Sequence, residues 1–497
     1  MSPRRIAIAL AAALAVVLAG PVSAGTPATG SWAALGTAAP LQDAFFTAVL
    51  GVKPGPDGNL YAYGWFTNAG GDPTADYLAV YEPATGTWHG LGSNGAGDGV
   101  FNAPVRDVAW WGSTLFVAGE FTDAAGIATA DYLAAWTGSA WTARTGSTAS
   151  GPSFNDPVNR LVVSGGYLYA GGSFHNVDGD ARADLVVAWD GRDWTPLVAA
   201  DALVAPLPDG SIHAMAAGAD GTIYAGGVDA LGHTYILARW LPASRTWDGL
   251  DQPIQFGNPG EDIMDLTVVG SSVYAAGSFT AAGGTQIAFG GCSLCTGVAK
   301  WLGAGKGWVP LGTDGAGGPS ITGSVTRVAP YGSTLIVAGD FTGVGGIADL
   351  AAFNGTSWQA ISLAPAAVMA VTTMGRTLYV GGMFADAGGN AAADTVAAYG
   401  LPAPPTAPRS VGAATGSGRL MVSWATPASS NGSPITGYLV QTRRKGTTTW
   451  RSLAVGAAVR SATVTGLVHG ATYEVRVVAR SFWGTGVASP ILLRKVP

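Results

Sequence analysis

The carboxylates best placed for general acid–base work are Glu120 and Asp340, each directly before a phenylalanine, Phe121 and Phe341, that recurs along the chain. Glycoside hydrolysis needs two carboxyls roughly 5 to 9.5 Å apart, one of them with a raised pKa. Nothing in the linear order brings these two together, so no complete catalytic constellation is legible. Other units hold Trp65, Ser173, Ser278 and Met383 at the same place. A residue that varies inside a regular repeat fits a ligand-facing mouth and equally a solvent-facing edge. Phe101–Asn102 and Phe154–Asn155, with Phe256 and Asn258, set aromatic platforms beside amides. Together with Trp65 they would suit a sugar, while packed loops with Asn-built turns explain the same residues.

Charges recur at one further place. In successive units it reads Asp107, Arg160, Ala214, Asp265, Arg327 and Ala370. Asp107 with Arg160, and Asp265 with Arg327, are expected as ion pairs that hold neighbouring units in register around a tunnel, rather than as ligand contacts. Cys292 and Cys295 are the only cysteines and form Cys-x-x-Cys among glycines. In an oxidising compartment they are expected to close a local disulfide. A redox role would want a helix N-terminus, and zinc two more ligands. Asn176, Asp178, Asp180 and Asp184 hint at calcium, but the spacing departs from the EF-hand loop and Asp-Gly turns account for them. No metal and no cofactor is expected.

These residues need a scaffold, and composition narrows it. Of 497 residues 48% are apolar and only 11% charged, with 75 glycines and 17 tryptophans, which suits short strands and tight turns. A net charge of −6 argues against nucleic acid as a partner. Residues 1–24 read as a signal peptide: Arg4 and Arg5, then an apolar run, then Val22-Ser23-Ala24. That run is shorter than the roughly 20 residues a membrane helix needs. The expected product is secreted and extracellular, with no membrane insertion after cleavage.

Internal repetition is the strongest signal. Each unit has an apolar strand, a strand ending in a small or glycine pair, the recurring Phe, a Gly-rich loop, a strand with an aromatic and a strand with Trp. The Phe falls at Phe66, Phe121, Phe174, Phe279, Phe341 and Phe384, and the long interval between Phe174 and Phe279 holds a further unit at Ile223–Gly227. That makes seven. The fourth-strand Trp appears at Trp88, Trp141, Trp194, Trp247, Trp308 and Trp358, while the seventh unit stops at Tyr399 without one. The orphan, Trp32, precedes the first unit. An N-terminal strand completing the last unit would remove an open sheet edge. The expected fold is all-β, a seven-bladed β-propeller over 31–401 closed by that strand.

The Gly pair, the third-strand aromatic and the fourth-strand Trp resemble kelch-type propellers, the group that includes the central domain of galactose oxidase. The resemblance implies architecture, not chemistry. His89, His175, His213, His233 and His469 are scattered one to a segment, which rejects a copper site of that kind. Residues 402–408 are a Pro-rich linker. From 409 to 497, Val422-Ser423-Trp424, Ile435-Thr436-Gly437-Tyr438, Leu467 and Tyr473–Val477 resemble a fibronectin type III domain, which implies a β-sandwich serving as spacer or weak binder. The expectation is an extracellular protein that binds polysaccharide or protein through the propeller loops. The alternative is a polysaccharide-degrading hydrolase or lyase.

Overall fold

The computed structural model describes residues 29–36 and 48–497, apart from 148, 150, 199–206, 208, 231–234, 251–254, 257–260, 280–295, 315–318, 344 and 362–366. Cys292, Cys295, Asn258 and the 1–24 segment lie outside the described residues, as does the side chain of Phe256. The described residues are all-β, with seven four-stranded antiparallel sheets before residue 401 and two sheets after it. A two-residue strand, Gln255–Phe256, is added to the fourth of the seven.

The first sheet shows the pattern: Ala48–Pro54, Leu60–Trp65, Leu78–Glu82 and Thr87–His89 pair in chain order. The first strands of the next six begin at Val105, Val158, Gly210, Ile263, Ile321 and Val368. Each first strand lies against those of its sequence neighbours, and Ala48–Pro54 lies against both Val105–Trp111 and Val368–Met374. In the seventh sheet the outermost strand is Trp32–Ala34, paired antiparallel to Ala397–Tyr399. Trp32 stacks on Tyr399 with ring centroids 5.0 Å apart, the geometry of Tyr81 with Trp88 (5.0 Å) and Phe353 with Trp358 (4.9 Å).

Two devices hold neighbouring sheets together. The recurring Phe side chains are buried, Phe66, Phe121, Phe174 and Phe279 completely so. The fourth-strand indoles also donate across to the preceding sheet: Trp141 Nε1 to the Leu91 carbonyl (2.7 Å), Trp194 to Arg144 (2.9 Å) and Trp247 to Leu197 (2.8 Å). Trp88 Nε1 donates to the Leu35 carbonyl at 2.9 Å, so the first sheet is tied to the strand that completes the seventh. An apolar body with one polar handle serves both purposes at each site.

The glycine ending each second strand has a steric cause. At Gly64, Gly119, Gly172, Gly227, Gly277, Gly339 and Gly382 a Cβ would collide with a backbone carbonyl in the first strand or of the residue just before it. Opposite each of these glycines the pairing register shifts by one residue, for example between Val105 and Asp107. A β-bulge leaves one residue unpaired and turns it out of the ladder. The close approach that only glycine allows makes room for it seven times.

After residue 401, Arg409–Gly416, Arg419–Ala425 and Ser461–Thr465 form one sheet of a sandwich; Ile435–Arg444, Arg451–Gly456, Thr472–Ser481 and the last two strands form the other. Trp424 and Tyr438 fill its core, and the Tyr473 hydroxyl accepts from the Val468 N–H at 3.1 Å. The sandwich is docked rather than tethered. Trp483, 5% exposed, enters the apolar cluster of the sixth and seventh sheets and meets Tyr331 at 5.7 Å. The 402–408 segment is bonded on both sides, Pro402 by Tyr331 and Pro404 by Asn431.

Candidate functional site

The seven bulged residues are Leu50, Arg106, Asn159, His213, Met264, Thr326 and Met369, and all seven line one pocket of about 480 Å³. Glu120, Ser173, Ser211, Asp262, Arg160 and Arg327 complete most of its wall. The bulge turns one side chain per sheet into the pocket, so a single sequence position supplies half of its lining residues.

Its polar groups are arranged in pairs. Arg106 forks onto Glu120, with Nε 2.8 Å from Oε1. His213 Nδ1 lies 2.7 Å from Asp262 Oδ2. The hydroxyls of Ser173 and Ser211 are 2.8 Å apart, and Asn159 Nδ2 donates to Ser211 at 3.0 Å. Both carboxylates in the pocket thus already face a base, and neither is a free acid of the kind glycoside hydrolysis needs.

Arg160 and Arg327 border this pocket and also a smaller one, about 270 Å³, that contains Lys53, Tyr63, Asp107 and Asp265. The expected partners act at a distance: the charges of Arg160 and Arg327 bear on Asp107 and Asp265, but neither expected pair is in ion-pair contact among the described residues. Among the described residues Asp107 pairs with Lys53, whose Nζ is 2.6 Å from Oδ1, and also accepts from the Tyr63 hydroxyl (2.9 Å) and the Leu161 N–H (2.9 Å). Asp265 accepts from the N–H of Val328 at 2.8 Å and from its own neighbour Leu266 at 3.0 Å. Each carboxylate therefore clamps the backbone of the next charged strand. The guanidiniums go to carbonyls that the bulges leave without ladder partners: Arg327 to Met264 (3.3 Å) and Leu50 (3.3 Å), Arg160 to Met264 (3.4 Å). The bulge supplies an acceptor nearer than the carboxylate.

Electrostatics follow from these contacts. Burial pushes the Asp107 carboxyl up, but the charges of Lys53 and Arg160 outweigh it and leave the group below its usual value. Burial dominates at Asp265, which ends above its usual value despite Arg327. Burial, and then the like charge of Arg160, bring Arg327 down to about 10.

The remaining predicted residues divide clearly. Phe101 and Phe154 are buried; Phe101 packs on Phe121 (4.5 Å) and Phe154 on Phe174 (4.8 Å). They are core, not sugar platforms, because each loop folds its ring back under the neighbouring Trp. Asn102 and Asn155 accept from the N–H groups of Thr122 and His175, both at 3.0 Å, so they build turns. Trp65 is exposed but does not line the pocket. Glu120 lines it; Asp340, on the sixth sheet, does not and is exposed near Asp349, whose carboxyl is raised first by burial and then by Asp340. Asp184 braces the N–H of Asn176 at 2.7 Å and Asp180 pairs with Arg182. Asp76, Asp131 and Asp394 make the same brace in other sheets. Asp262 and Lys53 carry no signal in the repeat, and His213, named above only among the scattered histidines, stands one place before Ala214 in the row that holds Asp107 and Arg160.

Over about a fifth of its length the chain is similar to a protein described as a myokine structure, at 25% identity over 19% of this chain and 98% of that one, TM-score 0.17. It is also similar to domains A168–A170 of titin (22% identity, 24% and 39%, TM-score 0.18) and to the FN5 domain of Drosophila Lar (27%, 19% and 97%, TM-score 0.17). Residues 403–492 match the fibronectin type III domain family. The C-terminal sandwich is a fibronectin type III domain, a type characteristic of extracellular binding and accessory modules.

Proposed function

We propose that the protein is an extracellular binding protein whose seven sheets are the blades of a closed, kelch-like propeller, and whose axial pocket takes the carboxylate of an acidic sugar. The observation that carries this reading is the convergence of one bulged residue from every sheet on a single pocket bordered by Arg160 and Arg327. Support for the ring comes from the cyclic contacts of the first strands and from the Trp88 bond to Leu35. Nη1 of each arginine is held by the carbonyl of the residue before it, Asn159 at 2.9 Å and Thr326 at 2.7 Å, while Nη2 donates only at 3.4 Å from Arg160 and 3.3 Å from Arg327 and would gain a shorter, charge-assisted bond from an arriving carboxylate. Secretion through residues 1–24 and a Cys292–Cys295 disulfide belong to the same reading; no helix among the described residues is long and apolar enough to cross a membrane.

The test is calorimetric titration of uronate oligosaccharides against their neutral counterparts. Arg160→Met should weaken uronate binding by roughly 10- to 100-fold, the worth of one hydrogen bond to a charged group, and leave neutral sugars unchanged. Equal binding of both classes by the wild type would remove the reading.

His213, held by Asp262, favours a second reading, a polysaccharide lyase. With a uronate carboxylate neutralised by arginine, the imidazole would take the proton alpha to it, the bond to the glycosidic oxygen would break as a carbon–carbon double bond forms, and the imidazolium would hand that proton to the departing oxygen. Ultraviolet absorbance of an unsaturated product, abolished in His213→Ala, distinguishes this from simple binding.

A further inference from the structure

The chain carries 25 basic and 31 acidic residues, but they are not mixed: 11 of the bases and only one acid, Glu474, fall in 409–497, leaving 14 against 30 in the rest. A strongly cationic sandwich is docked on an acidic body. Self-repulsion of this kind opposes compactness and is a field for a partner of opposite sign. We infer that the C-terminal domain is a binding module for anionic polysaccharide, carboxylated or sulfated. The inference rests on the extracellular setting proposed above but not on the pocket.

Strand register locates the field. The end of the sandwich that meets the body holds Ile435, paired with Ser481 just before Trp483, and Asn431 on the linker. Strand Ile435–Arg444 then runs ten residues away from it, roughly 30 Å. At the far end lie Arg419, Arg443, Arg444, Lys445, Arg451 and Lys495; all but Arg443 are exposed. The tip is several Debye lengths from the acidic body at physiological salt, so the body does not cancel it. Nine of the 11 bases are arginines, whose planar fork matches carboxylate and sulfate.

The face behind the tip is ordered. Arg443 and Arg476 stack on the Trp450 ring, with guanidinium carbons 4.5 and 4.1 Å from its centroid. Glu474 holds Arg443, and Gln441 accepts from Arg476 at 2.7 Å. Arg480, on the same outward row, keeps a buried Nε without a partner. Because Trp450 is occupied by two arginines, it is not free to stack on a base as single-stranded nucleic acid would require.

The experiment is affinity electrophoresis of the full-length protein through gels containing polygalacturonate, dextran sulfate, duplex DNA or neutral dextran, at two salt concentrations. Retardation by the carboxylated polymer, the sulfated polymer or both, lost at high salt and absent with neutral dextran, is the expected result, and the two arms identify the anionic group. The variant Arg444→Ser/Lys445→Ser/Arg451→Ser changes exposed residues only and should weaken binding on the order of a hundredfold, at about fivefold per charge. In the dextran sulfate gel Arg160→Met should retain full retardation while the triple variant loses it, which separates this site from the uronate pocket. Stronger binding to DNA than to either polysaccharide, or an unaltered triple variant, overturns the inference.

Discussion

Asp107 and Asp265 occupy the same place in the second and fifth sheets, the first buried and the second partly buried, and differ in their partners, which permits a paired test. Asp107 is bonded by Lys53, Tyr63 and the Leu161 N–H; Asp265 has backbone donors and, among the described residues, no cation within ion-pair distance. Breaking a buried pair by removing one member costs about 3–5 kcal/mol, because the other charge is left uncompensated. Asp107→Asn leaves the Lys53 ammonium in that position, so a loss of about 3 kcal/mol is expected, the lower end because Lys53 is partly exposed. At about 2 °C per kcal/mol for a domain of this size, the melting temperature should fall by roughly 6 °C at neutral pH. Asp265→Asn removes a charge that burial disfavours and keeps a side-chain oxygen for the Val328 N–H but gives up the bond from the Leu266 N–H, worth about 1 kcal/mol, so the net change should be clearly smaller than at Asp107.

The pH dependence has opposite signs at the two sites. The Asp107 carboxyl is lowered in the folded state, so its contribution is present above the unfolded value near 4 and is lost as pH falls through the lower folded value. The Asp265 carboxyl is raised, so the folded state holds its proton more tightly. That contribution is present below the unfolded value and lost as pH rises through the folded one. Thermal unfolding followed by near-ultraviolet circular dichroism between pH 3 and 7 reads both. Equal shifts in the two variants, or an unchanged melt for Asp107→Asn, would refute the reasoning that partners, not position, set the energetics.

Two further outcomes follow from packing. Trp483→Ala removes the ring that joins the sandwich to the sixth and seventh sheets, a truncation of about 3–5 kcal/mol for a buried Trp; calorimetry should show two separated transitions and scattering a larger radius of gyration, whereas an unaltered profile counts against docking. Trp32→Ala loses the stack on Tyr399 and loosens Trp88 from Leu35; with Trp32 only partly buried, a cost of about 2 kcal/mol is expected, read as faster hydrogen exchange in Val396–Gly400, and unchanged protection there would mean that the outer strand contributes nothing.

What the sequence made legible was the repeat, because it is written in large side chains and glycines whose burial does not depend on distant partners. The pairing of Trp32 with Tyr399 could be anticipated by counting alone. The pocket was hidden by a one-residue effect. Counting alternate positions along a strand places Arg106 and Asp107 on opposite faces, but the bulge opposite Gly119 turns Arg106 toward the pocket while Asp107 reaches the N–H of Leu161. Periodicity carries no sign of a bulge. The glycine opposite it does, and in this repeat the second-strand glycine marks where the side-chain sequence must be read one place out of step.

The loop aromatics show the converse error. Phe101 and Phe154 lie in polar segments, where an exposed ring looks purposeful, yet each ring returns to cover the recurring Phe and the fourth-strand Trp of its own sheet. Loop position alone does not predict exposure when the sheet below ends in a ring that needs a lid. Net charge misled in the same way. A value of −6 for the whole chain is a sum over two domains of opposite sign, and it removes from view the cationic tip that Arg444, Lys445 and Arg451 present about 30 Å from the acidic body. The charge that matters to a partner is the charge within a Debye length of the contact, and that quantity belongs to a domain's surface, not to a chain.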